Sequence, residues 1–239
     1  MKANLEDTIA LTWANRAQAE LGAKARFKIL AAQLTELGAS KNIVALVRNA
    51  EADEERHAKL CSEVARELGH STGFAFFEDQ TKEVKRAWDN EELASNYLLC
   101  EVVLMCCITE TINASLLNTI FSSSSGTPLR KIIHEILKDE VKHAQIGWAY
   151  LSEESQKKNC GFLDKYLPQM LNLSVKDELF ATTGTTVNDQ DSFGWGVMPV
   201  AQRLNQFNET INKVVFPGFE NFGIDVTNAK KWIKDKLDR

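Results

Sequence analysis

Between residues 41 and 68, Ile43, Val47, Ala50, Glu54, His57, Cys61, Val64 and Leu68 succeed one another at alternating steps of four and three. At 3.6 residues per turn these positions share one face of a helix, the face that a soluble helix turns to its core. Glu54 and His57 therefore stand where packing would place apolar side chains. A carboxylate and an imidazole removed from water need partners, so the rest of the chain must supply them.

Residues 6–37 show the same periodicity, with Ile9, Trp13, Ala17, Glu20, Ala23, Phe27, Leu30 and Leu34 on the inner face, no proline and one internal glycine. Gly38 stops this helix, Ser40 is a good N-cap for a second over residues 41–68, and Gly69 follows it at the C′ position. Residues 70–81 read as a loop carrying Phe74, Phe76 and Phe77, after which a third long helix ends near residue 121. Residues 122–126 form the turn, and Thr127 as N-cap with Pro128 at the first helical position opens a fourth helix to about residue 151. Two helical hairpins joined by a longer crossover predict an all-α four-helix bundle. The last third predicts a short helix at 162–171, a Thr/Gly-rich loop at 181–196, a helix at 200–215 and another after Thr227, with Pro168, Pro199 and Pro217 setting or bending their ends. No second core is evident, so residues 1–239 read as one domain: the bundle over 6–151 and a helical extension, 152–239, packed on it.

A formal net charge of −5 argues against a nucleic-acid partner. Glu6 and Asp7 interrupt the apolar run that a signal peptide would need. The longest apolar stretch, residues 97–108, is broken by Glu101 and falls short of the ~20 residues that span a bilayer. Five cysteines without a CxxC pair fit reduced thiols in a cytoplasmic protein better than a disulfide framework.

Two of the four histidines belong to ExxH pairs, Glu54-Glu55-Arg56-His57 and Glu140-Val141-Lys142-His143. A carboxylate and an imidazole three residues apart on a helix point from one face at one metal. Each pair lies on the second helix of a hairpin, and each is preceded on the first helix by a core-facing glutamate, Glu20 or Glu110. Four carboxylates neutralise two ferrous ions, and oxygen ligands with some imidazole suit iron or manganese. The expected metal ligands are thus Glu20, Glu54, His57, Glu110, Glu140 and His143, with Glu54, Glu110 and Glu140 closest to the chemistry. Glu101 competes with Glu110. In an antiparallel hairpin, ligands at one level lie equally far from the turn, which favours Glu110; Glu101 would sit about 13 Å further along a regular helix.

The order Glu, ExxH, Glu, ExxH over residues 20–151 resembles the ferritin-like diiron-carboxylate superfamily. The wide gap between His57 and Glu110 and the stretch Lys138-Asp139-Glu140-Val141-Lys142-His143 look most like its aldehyde-deformylating oxygenases. The resemblance implies Glu54 and Glu140 bridging two irons, Glu20 and Glu110 terminal or bridging, and one histidine on each iron. Cys107 and Asn113 stand where a rubrerythrin would carry a further glutamate, and Ile136 where an arylamine N-oxygenase would carry a third histidine. His134 and Tyr150 read as structural, whereas Cys106 and Asn113, about a turn either side of Glu110, are placed to line the site. The expected function is an O₂-activating diiron monooxygenase or oxidase of a small organic substrate, supplied with electrons by an external donor. The alternative is a ferroxidase or rubrerythrin-like peroxidase. The assembly is open, a homodimer among the options.

Overall fold

α1 (Lys2–Glu36) and α2 (Lys41–Glu67) form an antiparallel hairpin. Gly38, at φ 70°, supplies the left-handed residue of its turn, with Ala39 N–H donating to the Leu34 carbonyl at 2.9 Å and Gly38 N–H to that of Thr35 at 3.2 Å. Ser40 then caps α2 by accepting the Ile43 N–H at 3.3 Å. The computed structural model describes residues 2–70, 94–124, 126–175 and 190–237. The start of the third helix and Phe74, Phe76 and Phe77 lie outside the described residues.

α3 (Ala94–Ser123) and α4 (Arg130–Ser155) make the second hairpin, and α2 packs against α4 to join the two. α3 is not uniformly α-helical. Val103–Glu110 winds as a π-helix between α-helical Ala94–Val102 and Thr111–Ser123, a distortion that periodicity does not reveal. α4 meets it tightly at Gly147, where a Cβ would lie 2.7 Å from both the Cys106 Cβ and the Cys107 backbone nitrogen. Glycine lets the two backbones meet there. α4 begins at Arg130, later than its sequence suggests, because the Thr127 hydroxyl donates to the Ser124 carbonyl at 2.9 Å instead of capping the helix.

α3 is long and apolar enough to cross a membrane, but 72% of its most apolar window is buried within the protein, as in a core helix. Beyond α4 come a 3-10 turn (Gly161–Lys165), α5 (Leu167–Val175), a second 3-10 turn (Gln190–Trp195) and α6 (Val200–Thr210). A π turn (Ile211–Val215) carries α6 into α7 (Phe216–Asn221), and α8 (Thr227–Leu237) ends the described chain. α5 packs on the π segment of α3 and α6 on its second half. There Ser115 and Thr210 share a 2.6 Å hydrogen bond, and Gln206 donates to Ser115 and accepts from Thr119. The indole N–H of Trp13 donates to the Trp195 carbonyl at 2.8 Å, tying the second 3-10 turn to α1. One hydrophobic cluster runs from Trp13 and Phe27 on α1 through Phe207, Phe216 and Phe219. Each such buried aromatic contributes about 2–3 kcal/mol.

Candidate metal centre

The four long helices aim six ionisable side chains at one place. α1 supplies Glu20, α2 Glu54 and His57, α3 Glu110, and α4 Glu140 and His143. All but Glu20 are buried; the Glu20 side chain keeps 17% of its surface exposed. Their ligand atoms fall into two groups, each with its members within 4.8 Å of one another: Glu20, Glu54, His57 and Glu140, then Glu54, Glu110, Glu140 and His143. Each could hold a metal ion, and Glu54 and Glu140 belong to both. His57 Nδ1 lies 3.4 Å from Glu54 Oε2 and 3.3 Å from Glu140 Oε1, and His143 Nδ1 lies 3.1 Å from Glu54 Oε1. Phe27 packs edge-on against His143, with ring centroids 5.3 Å apart.

Whether a cation suits these residues can be judged from their unmet hydrogen bonds. Both carboxylate oxygens of Glu54, Oε2 of Glu140 and both nitrogens of His57 and His143 are buried with no hydrogen-bond partner. Unsatisfied buried groups of this kind are each costly, about 1–3 kcal/mol or more for charged ones. Cations coordinated by oxygen and imidazole nitrogen would satisfy them together. Titration behaviour agrees. Burial, then the charge of Glu20, pushes the Glu54 carboxyl up to about 8. Burial and Glu54 push Glu140 up to about 7, and burial and Glu140 raise Glu110 well above the carboxylate range. Burial opposes the charge of Glu20 as well, but the nearby His57 and Glu54 and the charge of Arg16 outweigh it and hold that carboxyl low. Burial likewise works against the His57 imidazolium, and Glu140, Glu20 and Glu54 overcome it. In the absence of a cation the cluster keeps protons in its place.

A second layer crosses between the halves. The outer nitrogen of His57, on α2, faces Asp139 Oδ2 of α4 at 3.6 Å, and that of His143, on α4, faces Asp53 Oδ2 of α2 at 3.5 Å. The aspartates lie behind the imidazoles without hydrogen-bonding to them, and both histidines turn Nδ1 toward the glutamates. Arg56 pairs with Asp53 at 2.8 Å and also with Asp139, and Lys142 pairs with Asp139 at 2.8 Å. Burial opposes the Asp139 charge, but Lys142, Lys138 and Arg56 hold its carboxyl below the usual range. The ExxH pattern does not include either aspartate, although each immediately precedes its motif, as Asp53-Glu54 and Asp139-Glu140.

Glu101 is outside both ligand groups and faces Arg26, with Arg26 Nη2 3.8 Å from Glu101 Oε2. Asn113 donates to Glu110 Oε2 at 3.4 Å. Cys106 is fully buried, its thiol pushed well up by burial and then by the charge of Glu110. Tyr150 packs in the hydrophobic core, and the exposed His134 stacks on Phe121 at 5.0 Å. A shallow cleft of about 420 Å³, lined by Phe121, Thr127, Arg130, Lys131 and His134 among others, opens at the α3–α4 turn, apart from the cluster. No family model, curated protein or solved structure matches this chain.

Proposed function

We propose that the chain is a ferritin-like four-helix bundle whose cluster holds a pair of iron ions, and that it is an O₂-dependent oxidoreductase, a monooxygenase or oxidase of a small organic molecule. The observation that carries this reading is the sharing of Glu54 and Glu140 between two four-residue ligand groups. Two carboxylates reachable from both groups are what a carboxylate-bridged metal pair requires. Four glutamates balance two divalent cations, which leaves little net charge to desolvate. When bound, two ferrous ions supply the electrons to dioxygen that no side chain can.

The protein's own part is to hold and shield. Asp53 and Asp139 set negative charge behind the two imidazoles, Asn113 steadies Glu110, and Phe27 covers His143. Cys106, about one turn before Glu110, adds a buried apolar neighbour on that side of the cluster. Manganese accepts nearly the same ligands. Electrons come from a separate donor, and the protein works in the cytoplasm on a soluble substrate.

Iron-reconstituted protein should hold close to two irons per chain, with most of that lost in Glu54→Ala or Glu140→Ala. Reduced protein mixed with O₂ in stopped flow should respond to one member of a panel of fatty aldehydes, arylamines and amino-acid derivatives, and that compound should emerge oxidised. Many irons oxidised and stored per chain, with no compound altering the kinetics, would show iron handling instead. Full iron occupancy in both variants would sink the site assignment itself.

A further inference from the structure

Thr109 stands immediately before Glu110, inside the π segment, and its hydroxyl has two partners. It donates to the Leu104 carbonyl at 3.0 Å and lies 2.9 Å from the Ser174 hydroxyl on α5. With its one proton committed to Leu104, Thr109 must accept from Ser174, which makes a directed chain from Ser174 to Thr109 to Leu104.

The bond to Leu104 reports the local winding. In the α-helical parts of this protein a threonine or serine hydroxyl bonds back to the carbonyl three or four residues earlier: Thr12 to Thr8, Thr35 to Ala31, Ser122 to Asn118 and Ser155 to Ser152. Thr109 reaches five residues back. In an α register the Met105 carbonyl would take that place, so the observed bond belongs to the π register alone. π-helices are rare and are usually single turns, so one spanning Val103–Glu110 needs support from its surroundings. Gly147 on α4 provides room on one side. On another, Ser174 of the C-terminal extension holds the hydroxyl that selects the register.

We infer that α5 acts as a register clamp on α3: the Ser174–Thr109 hydrogen bond keeps residues 103–110 in the π form and thereby keeps Glu110 in the cluster. Return to an α register displaces residues by one position along α3, which turns a side chain about 100° around the helix. Glu110 would then leave the group it forms with Glu54, Glu140 and His143, while the group of Glu20, Glu54, His57 and Glu140 would keep all its members. The extension thus governs one of the two metal positions and leaves the other alone. Ser174 and Thr109 are positioning residues, and neither belongs to the ligand set.

The clamp rests on the metal-pair reading for its functional consequence but can be tested without it. Backbone hydrogen exchange over residues 103–110 should accelerate about tenfold or more in Ser174→Ala and in Thr109→Val. Ser174→Thr and Thr109→Ser, which keep the hydroxyls, should restore protection. Anaerobic Fe²⁺ titration of the full chain should show two binding steps in the wild type. In Ser174→Ala one step should weaken at least tenfold while the other keeps its affinity. Unchanged exchange in Ser174→Ala, or equal weakening of both steps, overturns the clamp. Absence of iron binding in the wild type overturns the metal reading instead, and the exchange data then still decide the clamp.

Discussion

Gly147→Ala is the smallest change that presses directly on the approach of α3 to α4. The added methyl would lie 2.7 Å from the Cys106 Cβ, 2.7 Å from the Cys107 backbone nitrogen and 2.8 Å from the Cys107 Sγ. Carbon contacts relax at about 3.5–4.0 Å, and a backbone nitrogen cannot rotate away, so the helices must part by about 1 Å. Overpacking of this kind costs about 1–3 kcal/mol. For a chain of this length each kcal/mol lowers Tm by about 2–4 °C, so a fall of about 2–12 °C is expected. Since the methyl pushes on residues three and four positions before Glu110, the rise in Tm expected on iron addition under the proposed function should shrink as well. Gly194→Ala is the control: its Cβ would meet only the Thr127 Cγ2, at an ordinary 3.7 Å, and the change should stay within about 0.5 kcal/mol. Calorimetry of both variants, metal-free and iron-loaded, makes the comparison. A Gly147→Ala protein that melts and loads iron like Gly194→Ala would refute the idea that this contact sets the site.

Two further outcomes are expected. Glu110→Ala should remove most of the diferric absorption while Glu101→Ala leaves it nearly intact, because Glu101 serves Arg26 and lies outside both ligand groups; the reverse result would mean that the ligand level on α3 is misassigned. Metal-free protein should lose stability as pH rises from about 4.5 to about 8. Glu54 and Glu140 titrate at about 8 and about 7 in the fold against 4.5 unfolded, so the native state binds more protons across that window, and each net unit is worth ~1.4 kcal/mol. Iron affinity should rise over the same range, since metal ligands bind deprotonated, and melting curves that are flat or rise with pH in the stripped protein would contradict the cluster's protonation.

The helices and the inner cluster were legible because both obey simple periodicity. The alternation from Ile43 to Leu68 holds in α2, and the pairs Glu54/His57 and Glu140/His143 inherit their direction from it. Distance from the turn favours Glu110 over Glu101, because it measures level along the helix axis, which one wider π turn changes little. The π segment itself was hidden. Residues 103–110 read VLMCCITE, nearly all buried, and a run apolar on every side carries no phase from which the winding could be read. The crossing of Asp53 and Asp139 was hidden for another reason: it pairs residues of different hairpins, and only tertiary packing sets which imidazole each aspartate meets.

The resulting centre repeats its residue types but not their mechanical support. Both halves contribute a first-helix glutamate, an ExxH pair and an aspartate that crosses to the other half's histidine. Glu20, however, projects from an unbroken α-helix with part of its side chain in solvent, whereas Glu110 ends a π segment, accepts from Asn113 and stands next to the residue held by Ser174. Glu20 keeps an edge in contact with water, whereas Glu110 is almost wholly enclosed. The Glu20 side of the cluster is therefore the one nearer to solvent, and the Glu110 side is the more enclosed.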